Sequence, residues 1–280
     1  MAADRLDGRV VSDAIAARVA TRLLQLPTAP KLVFVRVGED PASVYYVRSK
    51  QRLAERVGIR AETRVLADDT DQDTLEAMVR ELNDDDDVDG ILVQLPLPEH
   101  LDERPVLEAI DPDKDVDGFH PVNVGRLWSG LDGLVPCTPL GLIAILDHYE
   151  ISLHGARVVI VGRSNLVGKP VAALCLRRHA TVTLAHSRTR DLAGVVREAD
   201  VVIAAVGRAG IVTADMVRTG ATVLDVGMTR VDGKIVGDVA PDVWEVAGAL
   251  TPMPGGTGLA TVAMVIQNTL TAAEKRRGWA

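Results

Sequence analysis

A tyrosine and a lysine stand four residues apart in a segment with the residue pattern of a helix. Pro41 is a favourable first helical residue, Gly58 is a favourable stop, and Tyr46 and Lys50 lie between them. Residues four apart share one face of a helix, so the phenol and the amine can reach the same space. A phenol beside an amine is a candidate acid–base pair, although solvated helix faces often show the same spacing.

Two further polar residues are candidates for contact with a substrate. Gln94 directly follows the apolar run Gly90–Val93, which is typical of a buried strand. Asp117 precedes Gly118 in an acidic turn, where it is either a turn residue or a fixed carboxylate facing a substrate. Histidines, cysteines and carboxylates do not recur at metal-ligand spacing, so we expect no metal.

An anion-binding turn is predicted in the second half of the chain. The apolar run Val158–Val161 leads into Gly162, Arg163 and Ser164, and a helical pattern follows Gly168. A strand, turn and helix in this order present backbone N–H groups and the positive end of a helix to an anion. The turn is longer than the GxGxxG fingerprint, so an ordinary turn is the alternative.

The end of the next predicted strand bears on the choice of cofactor. Thr181–Leu184 is followed by His186, Ser187 and Arg188, without the carboxylate that accepts from the ribose hydroxyls of NAD. Together with Arg163 and Ser164, these residues are donors that suit a 2′-phosphate. The pattern therefore favours NADP, and solvated loop residues are the alternative.

The segment Pro252–Gly258 is too rich in proline and glycine for a helix or a central strand. We interpret it as a rigid loop. Gly255 and Gly256 would allow the backbone to approach a ligand closely, and a plain turn would also explain them.

Short valine-rich runs alternate with helical patterns, which predicts an α/β fold with parallel sheets. The predicted strands are Leu32–Val37, Arg64–Leu66, Gly90–Val93, Val158–Val161, Thr181–Leu184, Val201–Ala204 and Val223–Val226. The predicted helices include Thr74–Leu82, Val171–Arg178 and Leu192–Glu198.

We expect two domains with a cleft between them. The seam lies at residues 136–139, where Thr138 is a candidate N-cap for a helix over Leu140–Tyr149. Residues 1–137 would form an N-terminal α/β substrate domain, and residues 138–260 a C-terminal Rossmann-like NADP-binding domain. The final helix, 261–280, begins its helical pattern at Thr261 and would pack back on the first domain.

Composition excludes several classes of function. The chain of 280 residues has a net charge of −8 and no basic tract, which argues against a nucleic-acid or anionic membrane surface. Its apolar runs are too short to span a bilayer. Cys137 and Cys175 lack metal-site spacing and are typical of buried, reduced thiols. We therefore expect a cytoplasmic protein.

Six motifs recur in the order and spacing of one enzyme family. They are Ser43-x-x-Tyr46-Val47-x-x-Lys50, Val93-Gln94-Leu95-Pro96-Leu97-Pro98, Asp115-Val116-Asp117-Gly118-Phe119, Pro136-Cys137-Thr138-Pro139, Gly162-Arg163-Ser164-x-x-Val167-Gly168-x-Pro170 and Pro252-x-Pro254-Gly255-Gly256-x-Gly258. Each motif alone is weak, but together they span nearly the whole chain. The sequence thereby resembles the bifunctional methylenetetrahydrofolate dehydrogenase/cyclohydrolase family.

The resemblance implies NADP-dependent oxidation of methylenetetrahydrofolate and hydrolysis of the methenyl product to formyltetrahydrofolate at one site. It implies that Lys50 is the key residue for hydrolysis, that Tyr46 and Gln94 orient it, and that Asp117 holds the pterin. It also implies a homodimer working in one-carbon metabolism, with an NADP site lined by four residues. These are Gly162, Arg163, Ser164 and Met228.

The chain departs from the family pattern after the double glycine. The family commonly reads Gly-Val-Gly-Pro-Met-Thr there, and this chain reads Gly256-Thr257-Gly258-Leu259-Ala260-Thr261. We expect the missing proline to loosen the predicted loop. Met228 replaces a common isoleucine and keeps the apolar character of the position.

Other functions remain open at the level of sequence. One is a monofunctional methylenetetrahydrofolate dehydrogenase, although Tyr46, Lys50 and Gln94 are all present. Another is a catalytically silent nucleotide-binding sensor, which would need the turn at Gly162 but not Lys50. A third is an oxidoreductase of shikimate type, whose pattern the motifs before residue 120 do not suit.

Overall fold

The computed structural model describes residues 3–279. Its strands, in chain order, are β1 (Asp4–Arg5), β2 (Lys31–Val37), β3 (Arg60–Leu66), β4 (Gly90–Val93), β5 (Arg157–Val161), β6 (Thr181–Ala185), β7 (Val201–Ala204), β8 (Thr222–Asp225), β9 (Thr229–Val231), β10 (Lys234–Val236) and β11 (Ala249–Leu250). Its α-helices are α1 (Gly8–Leu23), α2 (Pro41–Val57), α3 (Gln72–Asp84), α4 (Glu103–Ala109), α5 (Pro121–Trp128), α6 (Cys137–His148), α7 (Gly168–Arg177), α8 (Leu192–Arg197) and α9 (Thr257–Arg277). Among these helices, none combines the length and apolarity that crossing a bilayer requires.

The chain divides into two compact units, which confirms the predicted two-domain α/β fold. The first, called the three-stranded unit, comprises Asp13–Cys137 and the residues from Val262 onward. The second, called the six-stranded unit, comprises Thr138–Thr261 and the residues up to Ser12. Neither unit is one continuous stretch of chain.

The three-stranded unit is built on a parallel sheet of order β3-β2-β4. Its core lies between that sheet and helices α3 and α4, where aliphatic side chains are packed out of water. β2 and β4 are buried along almost their whole length, as their continuous apolar sequence predicts. β3 is the outer strand and carries polar residues, so only its last three residues were recognisable as a strand.

A buried lysine closes the C-terminal end of α3. The amine of Lys114 donates to the carbonyl oxygens of Leu82 at 3.1 Å, Asn83 at 2.6 Å and Asp85 at 2.8 Å. The last carbonyls of a helix lack partners within the helix, so a cation there satisfies and complements them. Burial lowers the pKa of Lys114, because it penalises the charged form.

The six-stranded unit contains a parallel sheet of order β1-β11-β8-β7-β5-β6. Its central strands β5, β7 and β8 are valine-rich and almost wholly buried, which confirms the strands predicted there. The short strands β9 and β10 pair antiparallel as a separate hairpin. The carboxyl ends of β5, β7 and β8 lie along one edge, where sheets of this kind bind ligands.

Two predicted helix starts are wrong. α6 begins at Cys137, so Thr138 lies in its first turn and is not the N-cap. Pro139 fits there because the first helical N–H groups have no acceptor within the helix. α9 begins at Thr257, four residues before the predicted start, so the residues that depart from the family pattern form a helical turn instead of a loosened loop.

Candidate active site

The predicted helix that carries Tyr46 and Lys50 is confirmed. The carboxylate of Asp40 caps α2 by accepting from the backbone N–H of Ser43 at 2.8 Å, and Gly58 ends the helix in a left-handed conformation. The hydrogen bond from Ser43 lowers the pKa of Asp40. Tyr46 and Lys50 are both half-buried on this helix. The fixed start and end of α2 set the direction in which both side chains leave it.

Lys50 meets Gln94, a pairing that the family resemblance implied. The amine of Lys50 donates to Oε1 of Gln94 at 3.2 Å. Gln94 follows β4 directly, and its own N–H donates to the carbonyl of Val35 on the neighbouring strand at 2.8 Å. Its Nε2 donates to the carbonyl of Leu95 at 2.6 Å, which leaves Oε1 directed at the amine. The lysine is therefore held by a neutral, firmly oriented amide.

Asp117 lies half-buried in a turn that a second carboxylate organises. The buried side chain of Asp115 accepts from the backbone N–H groups of Gly118 at 3.1 Å and His120 at 2.8 Å, and from Nδ2 of Asn123 at 3.1 Å. Burial raises the pKa of Asp115, with these hydrogen bonds acting in the opposite direction. Asp115 thus fixes the turn, and the turn leaves the side chain of Asp117 partly accessible to a ligand.

Gly118 allows a second segment to pass close to this turn. Its φ is +75°, and a Cβ atom there would lie 2.4 Å from the carbonyl carbon of Val135. Any larger residue would push the two segments apart. His120 caps α5 through its Nδ1, which accepts from the backbone N–H of Val122 at 3.1 Å, so it stabilises the start of this helix.

Cys137 and Asn268 join this cluster, although neither was assigned a role in it from sequence. The buried thiol of Cys137 donates to the carbonyl of Val116 at 3.2 Å, and Nδ2 of Asn268 donates to the same oxygen at 2.8 Å. Burial raises the pKa of Cys137, the charge of Asp117 adds to this rise, and the charge of Lys50 opposes it. Lys50, Gln94, Asp117 and Cys137 therefore belong to one polar cluster of the three-stranded unit. The family motif around Cys137 was the signal that could have revealed it.

The predicted anion-binding turn lies in the six-stranded unit, between β5 and α7. Gly162 has a φ of +136°, and a Cβ atom on it would lie 2.2 Å from the carbonyl oxygen of Ala205. Oγ of Ser164 accepts from the backbone N–H groups of Val167 at 3.1 Å and Gly168 at 3.4 Å. Ser164 therefore orders the turn, while Arg163 is exposed beside it.

The turn after β6 lies next to the Gly162 turn, because β5 and β6 pair in parallel and Gly162 donates to the carbonyl of Ala185 at 2.8 Å. His186 closes this turn by accepting from the N–H of Arg188 at 3.1 Å. Ser187 and Arg188 are exposed. Residues 186–190 supply guanidinium and hydroxyl groups and no carboxylate. This combination fits the 2′-phosphate of NADP better than the free ribose hydroxyl of NAD.

The remaining predicted residues also lie in the six-stranded unit. Met228 follows β8 and is 50% exposed. Gly255 and Gly256 pack against the N-terminal segment: Gly8 donates to the carbonyl of Gly255 at 3.0 Å, and a Cβ atom on Gly8 would lie 1.9 Å from the carbonyl oxygen of Gly256. Gly255 has a φ of +107°, and a Cβ atom on Gly256 would lie 2.6 Å from the carbonyl oxygen of Pro252, so local backbone geometry explains both glycines independently of a ligand.

Two family models match this chain. The model described as the catalytic domain of tetrahydrofolate dehydrogenase/cyclohydrolase matches residues 6–117, and its NAD(P)-binding domain matches residues 136–277. The first match contains Lys50, Gln94 and Asp117. The second contains the Gly162 turn.

Individual relatives match along the whole chain. The bifunctional protein FolD of Thermus thermophilus is 55% identical over 277 residues, covering 99% of this chain and 98% of the relative. The crystal structure of the bifunctional FolD dehydrogenase/cyclohydrolase from Campylobacter jejuni is 43% identical, with a TM-score of 0.95 and coverage of 98% of this chain and 100% of that one. The Trypanosoma brucei enzyme, solved with NADP cofactor and inhibitor, is 38% identical with a TM-score of 0.94 over 100% of both chains.

Proposed function

This chain belongs to the tetrahydrofolate dehydrogenase/cyclohydrolase family, and we propose that it catalyses two consecutive reactions of one-carbon metabolism. The first oxidises 5,10-methylenetetrahydrofolate to 5,10-methenyltetrahydrofolate with NADP. The second hydrolyses the methenyl product to 10-formyltetrahydrofolate. The observation that carries this proposal is the hydrogen bond between Lys50 and Gln94, which sets an amine on a fixed support within the matched catalytic domain.

The six-stranded unit supplies the dinucleotide site in this proposal. When bound, NADP accepts the hydride from the one-carbon bridge, so the protein has to bind and orient rather than move protons. Gly162 lets the turn approach the pyrophosphate, and Arg163, Ser164 and Ser187 supply donors to phosphate and ribose groups. Met228 offers an apolar surface at the carboxyl end of β8. The relative solved with NADP supports this choice of cofactor.

Ring opening, unlike hydride transfer, requires side chains that can transfer protons. Water adds to the cationic carbon between N5 and N10 and loses a proton, and the bond to N5 then breaks as N5 takes up a proton. A protonated lysine can donate a proton to N5, and the neutral amine that remains can accept the proton that the added water loses. We assign this transfer to Lys50. Gln94 orients the amine without adding a negative charge, and Tyr46, on the same helix face, orients both.

Asp117 holds the pterin in this proposal. A half-buried carboxylate on a rigid turn can accept two hydrogen bonds from the adjacent N–H groups of a pterin ring. Gly255 and Gly256 are the substrate-binding residues that we place in the six-stranded unit. In this proposal the folate-binding part is residues 1–137 together with residues 261–280, and the NADP-binding part is residues 138–260.

We also propose that the protein works as a cytoplasmic homodimer on free tetrahydrofolate substrates. The family resemblance supports this proposal, and so does the acidic composition without a basic tract. The two cysteines form no disulfide bond, which suits a reducing compartment. Light scattering on the purified protein tests the dimer directly.

The test mixes the protein with methylenetetrahydrofolate and NADP and follows both products. Absorbance of the reduced nicotinamide reports oxidation, and chromatography separates methenyl- from formyltetrahydrofolate, with the rate without enzyme subtracted. We expect both products. Methenyltetrahydrofolate alone would indicate a monofunctional dehydrogenase, and the lack of reduced cofactor would indicate a nucleotide-binding sensor.

Replacing Lys50 separates the two reactions. We expect Lys50→Met to lower the rate of ring opening by about 10²- to 10⁴-fold, the typical contribution of a positioned proton-transfer group, while part of the oxidation remains. Arg52→Met is the matched control, since it removes an exposed cation from the same helix. Unchanged formation of formyltetrahydrofolate by Lys50→Met would overturn the role given to this amine.

A further inference from the structure

Two buried carboxylates lie at the ligand-binding edge of the six-stranded sheet, and the proposed reaction uses neither. Asp225 is the last residue of β8 and is 2% exposed, while Asp238 follows β10 and is 0% exposed. A buried carboxylate is costly unless hydrogen bonds or charges compensate it. The hydrogen bonds that compensate these two carboxylates therefore show which backbone segments they fix.

Asp238 binds three consecutive backbone amides. Its Oδ2 accepts from the N–H groups of Val206 at 2.6 Å and Gly207 at 3.0 Å, and its Oδ1 accepts from Arg208 at 2.7 Å. These residues form the loop directly after β7. Successive N–H groups that converge on one point are the arrangement by which backbone loops bind anions. Here the anion is an internal carboxylate, so the loop is shaped before any ligand arrives.

Asp225 holds Asp238 and the loop after β8. Its Oδ1 accepts from the N–H groups of Gly227 at 3.1 Å and Asp238 at 2.9 Å, and its Oδ2 accepts from Val239 at 3.1 Å. A Cβ atom on Gly227 would lie 2.0 Å from Oδ1 of Asp238, and one on Gly237 would lie 1.7 Å from Oδ2 of Asp225. Each carboxylate thus occupies space that only a glycine leaves open.

Both loops adjoin the residues assigned to NADP. Ala205, which begins the loop held by Asp238, donates to Val161 at 2.8 Å and sets its carbonyl oxygen against Gly162. Gly227, held by Asp225, immediately precedes Met228. A shift of either loop would therefore move the Gly162 turn or Met228.

We propose that Asp225 and Asp238 are positioning residues that fix the loops after β7 and β8 in the shape that binds NADP. They act through the backbone amides of these loops and do not touch the cofactor themselves. This inference rests on the proposed function, because it takes NADP as the ligand of this edge. A site already in its bound shape avoids the free-energy cost of ordering loops on binding.

The test compares Asp238→Asn with Asp200→Asn. Asp200 is a matched control, because its carboxylate also accepts a backbone N–H, that of Arg157 at 2.7 Å, but at the opposite end of β5. The amide in Asp238→Asn keeps the shape of the side chain but turns an NH₂ group towards backbone donors. We expect Asp238→Asn to weaken NADP binding at least about tenfold by calorimetry, a loss of about 1.4 kcal/mol.

Hydrolysis of methenyltetrahydrofolate, measured without NADP, serves as the internal readout. A positioning role predicts that Asp238→Asn keeps this activity within about twofold, and that Asp200→Asn keeps both NADP affinity and hydrolysis. Unchanged NADP affinity in Asp238→Asn would overturn the inference. So would equal losses of oxidation and hydrolysis, because they would indicate general destabilisation.

Hydrogen exchange of the unaltered protein provides a second test should Asp238→Asn not fold. Without NADP, we expect the amides of Val206, Gly207 and Arg208 to be as protected as those of β7. Exchange as fast as in an exposed turn would contradict a loop shaped in advance. If the unaltered protein binds no NADP, the proposed function fails, while this exchange still reports whether Asp238 orders the loop.

Discussion

Lys50 and Lys114 belong to the same three-stranded unit and carry the same amine on the same four-carbon chain. Lys114 is 1% exposed, and its amine is saturated by three carbonyl oxygens at the end of α3. Lys50 is half-buried and donates to the neutral side chain of Gln94. The first arrangement stabilises a helix end, and the second presents an amine on a firm support.

The carboxylates Asp115 and Asp117 divide in the same way. Asp115 is buried and accepts from two backbone amides and a side-chain amide, whereas Asp117, two residues on, is half-buried on the turn that Asp115 holds. In both pairs the buried charged group shapes the backbone, and the partly exposed one is available to a ligand. Residue type alone does not distinguish the two roles, but burial and saturation with hydrogen bonds do.

The largest effect that would test this comparison is expected at Lys114. Lys114→Met leaves three buried carbonyl oxygens without their donor, so we expect the free energy of unfolding to fall by about 3 kcal/mol. Urea denaturation measures it. Lys50→Met is the control and should change that free energy by less than about 1 kcal/mol. A smaller loss for Lys114→Met than for Lys50→Met would break the comparison.

The next effect concerns pH and a buried carboxylate of the other unit. Burial raises the pKa of Asp225 to about 6, and the facing charge of Asp238 adds to the rise, against the hydrogen bonds from backbone amides. Since the unfolded value is about 3.9, the folded state binds this proton more tightly. The resulting stabilisation is complete below about pH 4 and is lost as the pH rises through about 6, a change of about 3 kcal/mol.

Asp225→Asn removes the titrating group, so its unfolding free energy should lack this fall between pH 4 and 7. The comparison is between the pH slopes of the variant and the unaltered protein, because the loss of an acceptor lowers the variant's stability at every pH. Identical slopes would show that Asp225 does not titrate in this range.

The smallest effect is expected for Asp117. Asp117→Asn keeps the size of the side chain but removes the charge that we assign to pterin binding, so we expect KM for the folate substrate to rise about tenfold with little change in unfolding free energy. Asp115→Asn should instead lower the free energy of unfolding by about 2 kcal/mol, because it disturbs three buried hydrogen bonds. Steady-state kinetics and urea denaturation of both variants distinguish a residue that binds the substrate from one that stabilises the turn.

Much of the fold could be predicted from local sequence patterns. Gly90–Val93 and Val201–Ala204 were predicted to the residue, because parallel strands that are buried on both faces are continuously apolar. β3 was predicted only from Arg64, because an outer strand faces water and carries polar residues from Arg60 onward. The start of α9 was placed too late, because Gly258 in its first turn resembles a loop residue.

The candidate site was predictable where chemistry follows local geometry. Helix spacing placed Lys50 and the strand end placed Gln94, but only the family resemblance implied that the two side chains meet. The roles of Lys114 and Asn268 were not predictable, because their partners are distant in sequence: Leu82 lies 32 positions from Lys114, and Val116 lies 152 positions from Asn268. Gly255 and Gly256 were interpreted as allowing close approach of a ligand, but the sequence could not show that Gly8 packs against them.

The pairing of β1 with β11 has a consequence for how the chain acquires its fold during synthesis. Asp4 and Arg5 have no neighbouring strand until Ala249 and Leu250 are made, and the carbonyl of Val116 lacks one of its two donors until Asn268 is made. The six-stranded unit can thus finish only after Leu250 has left the ribosome, and the three-stranded unit only after Asn268 has. A gene split between residues 137 and 138 would yield two halves that each lack a piece held by the other, so they should regain structure only when produced together.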